Sequence, residues 1–137
     1  MKIRAICIIG LLLAVLVACQ SEDALEFSRY YSSGKVVYQS RCQNCHGDKG
    51  EGLSALIPPL TDSVYLKANK QQLACMVKYG MNAPITINKK AFYNKMPLTD
   101  LAPVEIAEVL TYVNNSFGNK MGVVTTAMAE GDLKNCK

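Results

Sequence analysis

Histidine is almost missing from this chain: among 137 residues there is one, His46. A centre held by several imidazoles of the polypeptide is therefore excluded. Only one C-x-x-C is present, so the paired clusters that supply four ligands to a structural zinc are absent too. Alternating apolar and polar runs are scarce, apart from Pro84-Ile85-Thr86-Ile87-Asn88, which is too short for a sheet; the class expected is all-α with long loops. No basic stripe or recognised nucleic-acid motif occurs, which leaves no reason to invoke nucleic acid as a partner. The glycine-rich turn at residues 47–52 lacks the Lys-Ser/Thr that would follow in a phosphate-binding loop. Fifteen Lys and Arg face 11 Asp and Glu. Two of the bases, Lys2 and Arg4, lie in a leader, so the basic balance of the body is slight.

That leader has a short basic start, an almost wholly apolar run over residues 6–18 and the ending Leu16-Val17-Ala18-Cys19. The pattern is that of a secretory signal over residues 1–18, shorter than the ~20 apolar residues that span a bilayer. Its ending resembles a bacterial lipobox, which would make Cys19 the first mature residue and the site of lipidation; two acyl chains suffice for stable anchoring. An uncleaved anchor helix is the alternative, and either places the body outside the cytoplasm. Residues 19–33 are polar and read as a flexible tether.

What is present concentrates at Arg41-Cys42-Gln43-Asn44-Cys45-His46-Gly47. A thioredoxin-like pair wants a strand before it and βαβ units around it, whereas residues 35–43 read as helix. A bare Cys42–Cys45 disulfide leaves His46 unexplained. Covalent haem attachment accounts for every position: two thiols add to the vinyl groups, and the following histidine is brought under the iron. With Cys7 in the leader and Cys19 assigned to lipid, Cys75 and Cys136 remain. In an oxidising compartment they pair most simply as a disulfide closing about 60 residues, worth roughly 4 kcal/mol; two unrelated thiols are the alternative.

A second axial ligand cannot be histidine, and a thioether is the natural neutral substitute. Met96, followed by Pro97 in a non-helical segment, is the leading candidate; Met81, after Gly80, is the weaker rival, and Met76 sits in a helix as a core residue. The Pro58 carbonyl, in Ile57-Pro58-Pro59-Leu60, can accept the ring N–H of His46 and set its tautomer, though ordinary loop punctuation is the alternative. Helices are expected at 35–43, 69–79 and 103–117, the last carrying a stripe of Ile106, Val109, Leu110, Val113 and Phe117.

In this order of elements, residues 34–119 resemble the class I monohaem cytochromes c. The runs ITINKKAFYNKMP (85–97) and LTYVNNSFGN (110–119) are similar to the cytochrome c domains fused to some copper nitrite reductases and to small cytochrome subunits of bacterial respiratory and dehydrogenase complexes. The resemblance implies a small all-α fold wrapped round one covalent haem c, with Cys42 and Cys45 as attachment points, His46 and Met96 as axial ligands and the Pro58 carbonyl behind His46. It implies first and last helices that cross beside the haem. It also implies one-electron transfer between redox protein partners at a membrane surface, with no small-molecule substrate; a permanently docked subunit of a larger complex is the second reading, and a peroxidase or gas-binding protein with a labile Met96 the third. Two features depart from the family: Ala102 stands where a polar helix cap is usual, and residues 120–137 form a C-terminal extension outside the common core.

Overall fold

The computed structural model describes residues 21–136. The leader and Cys19 lie outside them. Helix α1 spans Ser21–Arg41, α2 Gln43–His46, α3 Ser63–Ala68, α4 Leu73–Tyr79, α5 Pro103–Asn115 and α6 Thr126–Leu133; a 3-10 turn, Lys70–Gln72, leads into α4. The fold is the expected small, mostly helical one.

The scaffold is the crossing of α1 over α5. Phe27, Tyr31, Gly34 and Tyr38 recur every three or four residues on one face of α1. Gly34 is buried at the point of closest approach, where a Cβ would overlap the Glu108 carbonyl and crowd Tyr112. Around it the rings interlock: Tyr31 and Tyr38 lie 5.1 and 5.3 Å from Tyr112, and Phe117 meets Tyr112 edge-on at 5.7 Å. This aromatic face corrects the sequence reading of a flexible tether. From Ser21 onward that segment is helix, because Phe27, Tyr30 and Tyr31 give its polar composition an apolar side that α5 and the tail cover.

Three other elements differ from expectation. Helix α3 was hidden by its brevity; Asp62 caps it by accepting from Val64 N (3.0 Å) and Tyr65 N (2.9 Å). The segment judged too short for a sheet does pair: Ile85–Ile87 (β1) forms an antiparallel hairpin with Lys90–Phe92 (β2), Ile85 opposite Phe92. Its turn residues Asn88 and Lys89 both hold positive φ, the requirement of a two-residue hairpin loop. Third, α5 starts without a polar cap because Glu105 reaches back to accept from Ala102 N at 2.8 Å, with Pro103 in the first turn.

The extension folds back on α5. Asn115 organises the reversal: its Nδ2 donates to the Thr111 and Gly122 carbonyls (2.8 Å each), and its Oδ1 accepts from Met121 N and Gly122 N. Thr111 and Val124 then exchange hydrogen bonds at 2.9 and 3.1 Å. Helix α6 follows, and beyond it Cys136 Sγ lies 2.07 Å from Cys75 Sγ of α4.

Candidate haem site

The end of α1 runs almost directly into the thiol–imidazole motif. Cys42 N donates to the Tyr38 carbonyl (2.9 Å), and His46 N donates back to Cys42 O (2.9 Å), so the one-turn α2 gathers Cys42, Cys45 and His46 at a single corner. Cys42 is half-buried and Cys45 exposed, both as free thiols. Burial, and then the neighbouring Cys45, push the Cys42 thiol up to about 11, so it stays neutral before any chemistry. Tyr38, only 1% exposed, donates its hydroxyl to the Gly47 carbonyl at 2.6 Å and ties the far side of the motif to α1.

His46 Nδ1 lies 3.2 Å from the Pro58 carbonyl, which can only accept; Nδ1 therefore carries the proton and Nε2 is left with a free lone pair. Burial holds the imidazole below its ordinary pKa, opposed by this hydrogen bond. A neutral ring is the form that ligates metal. The glycine turn serves the same contact. Gly52 N donates to His46 O at 2.8 Å, and at φ +70° a Cβ on Gly52 would overlap the Ile57 carbonyl, so only glycine lets the turn close on the Ile57-Pro58 segment.

Above His46 lies a cavity of about 100 Å³. Its walls are apolar, with Leu60, Val77, Ile87, Leu110 and Val113 among them, and Cys42, His46, Met76, Met81 and Met96 facing it. A second cavity of about 70 Å³ continues toward Cys45, Phe92 and Lys95. His46, Pro58, Met81, Ile85 and Met96 border both.

The methionine side hangs from the end of α4. Met81 and Met96 exchange both backbone hydrogen bonds at 2.9 Å. Thr99 then donates from its backbone N–H to Lys78 O (3.1 Å) and from its hydroxyl to Val77 O (2.9 Å), and Lys78 Nζ donates to Leu101 O (2.7 Å). The strands close at Gly80, whose φ is +72° and where a Cβ would overlap the Met96 carbonyl.

These residues fit a covalent haem: two free thiols at one corner, a neutral imidazole with its ligating nitrogen unengaged, thioethers bordering the same space, and apolar walls. Among the described residues no three His, Cys, Asp or Glu side chains converge to hold a bare metal ion. A family model described as cytochrome c matches residues 31–117, more than half of the chain. The chain belongs to the cytochrome c family. Among its relatives is cytochrome c-555 of Methylococcus capsulatus, 42% identical over 62 residues, covering 44% of this chain and 49% of that protein. The cytochrome c subunits of the quinone alcohol dehydrogenases of Gluconacetobacter polyoxogenes and Komagataeibacter europaeus are each 31% identical over 98 residues, 69% of this chain and 21% of theirs. The chain thus spans about half or less of these relatives. Family members carry electrons, and the family implies haem c.

Of the residues singled out from sequence, Cys42, Cys45, His46, Pro58 and Met96 come together at this site, with Met81 and Met76 beside them; Cys75 and Cys136 meet behind α4. Sequence reasoning missed Tyr38, Gly34 and Gly80. Their signal was available as a glycine and a tyrosine at helical spacing before the motif and a glycine directly before Met81, but only the fold tells what each approaches.

Proposed function

We propose that this chain is a one-electron carrier of the cell envelope, with haem c attached through Cys42 and Cys45 and its iron ligated by His46 and Met96. When bound, haem c supplies an iron that gains and loses one electron between Fe(III) and Fe(II). The chain supplies the rest. The Pro58 carbonyl holds the Nδ1 proton of His46 and so aims Nε2, while the apolar walls keep water from the cavity and favour the less charged, reduced state. The observation that carries the reading is the neutral, oriented His46 bordering the same apolar cavities as Met96. Electrons would pass at the Cys45 side, where Leu56, Lys95 and Pro97 rim the smaller cavity and offer a partner a small docking area.

Export, and a lipid on Cys19 that holds the protein to a membrane, complete the proposal. No helix among the described residues is long and apolar enough to cross a membrane; in this reading the leader segment carries the attachment. Production in a host that matures c-type cytochromes should give a red protein whose haem survives acidic organic extraction, with a sulfur-to-iron charge-transfer band in the ferric spectrum. A colourless product, or a haem that extracts freely, would sink the reading. A second reading is supported by the relatives that are named as dehydrogenase subunits: this chain would be a resident subunit of a membrane oxidoreductase. Co-purification of a partner in mild detergent at constant stoichiometry separates resident from shuttle.

A further inference from the structure

Met81 and Met96 are directly opposed residues of one antiparallel bridge, joined by a reciprocal pair of hydrogen bonds. Directly opposed residues put their side chains on the same face of the ladder. Here that face is the cavity: both methionines border the larger and the smaller space, and so does His46. Met76 borders only the larger one, from the body of α4. Two thioethers are therefore presented side by side on a bridge anchored to the end of α4, where Gly80 meets the Met96 carbonyl and Thr99 bonds the last helical turn.

We infer that Met81 is a reserve axial ligand: it takes the iron when the Met96 sulfur is unavailable, so the centre stays six-coordinate and closed to exogenous ligands. The inference rests on the proposed His46/Met96 ligation. A thioether needs no deprotonation to coordinate, and a methionine has three rotatable bonds, so exchange asks only for a side-chain rearrangement along a fixed backbone.

Ferrous NMR of the holoprotein tests it, because the methyl group of a coordinated methionine is strongly shifted by the porphyrin ring current. The parent protein should show one such methyl, which Met81→Leu leaves in place. Met96→Leu should keep a coordinated methyl at a new position, and Met96→Leu with Met81→Leu should lose it while binding carbon monoxide at once. If Met96→Leu alone loses the methyl, or if it persists in the double variant and vanishes only when Met76 is replaced, the inference is wrong. A parent protein with no coordinated methyl would instead overturn the ligation on which it rests. Should Met96→Leu fail to retain haem, Met96→Ala, which leaves more room for the second sulfur, supplies the second measurement. The reserve predicts a coordinated methyl in ferrous Met96→Ala that a further Met81→Leu abolishes, and its absence from Met96→Ala overturns the inference.

Discussion

The two walls of the cavity are built by different means. On the histidine side, Cys42, Cys45 and His46 lie within five consecutive residues, and the supporting Pro58 carbonyl is twelve residues away; one turn of helix and one glycine-closed loop complete it. On the methionine side the sulfur-bearing strand hangs from the end of α4, which is itself joined at Cys75 to the chain terminus. The first wall is local and its geometry follows from spacing. The second is assembled from contacts between distant segments, so it should loosen first and tolerate ligand rearrangement, as the paired thioethers imply.

Five changes would break or sharpen this contrast. Replacing Cys42 and Cys45 together by Ala removes the local wall's chemistry outright, and all haem should be lost in a denaturing extraction followed by absorbance. Replacing Cys75 and Cys136 together by Ser frees α4 from the tail; the chain-entropy argument gives a loss of roughly 4 kcal/mol in a chemical denaturation curve. The charge-transfer band should then fade at lower denaturant than the haem–histidine signal. Gly34→Val strikes the scaffold common to both walls; overpacking the α1–α5 crossing should cost about 3 kcal/mol, with both signals lost together. Gly80→Ala acts on the methionine wall alone. Strain at positive φ and the clash with the Met96 carbonyl should cost about 1–3 kcal/mol and weaken the band while His46 stays bound.

The smallest effect is a pH dependence placed away from both walls. Partial burial, and then the neighbouring Glu105, hold the Glu108 carboxyl above the ordinary range. The folded form prefers the proton, so the favourable contribution is complete below the ordinary value and is lost as pH rises through the raised one. Glu108→Gln removes that loss. Melting temperatures of parent and variant should be closest near about pH 4 and diverge in the variant's favour by about pH 7, within the ~0.5 kcal/mol typical of a surface site.

Much of the chemistry was legible in the sequence because it is local. A Cys-x-x-Cys-His on one helical turn can only gather two thiols and an imidazole at one corner, and the stripe of Ile106, Val109, Leu110 and Val113 can only face a core. The helical nature of residues 21–33 was not legible, since Glu22, Asp23, Ser28, Arg29, Ser32 and Ser33 dominate the composition while the deciding aromatic face needs α5 as its partner. Hairpin pairing at Ile85–Ile87 was missed because two three-residue strands have too few alternations to register as a period.

The sequence by itself determined which groups are available to the proposed haem: the lone histidine, the two spaced thiols and a thioether beside a proline. Only the tertiary structure decided which nitrogen of His46 is free, that Met81 stands level with Met96, and that Gly34 sets the helix spacing. Each of these depends on a backbone carbonyl brought from another segment, of Pro58, Met96 and Glu108 respectively, and a carbonyl's position is a property of the folded chain that no side-chain pattern encodes.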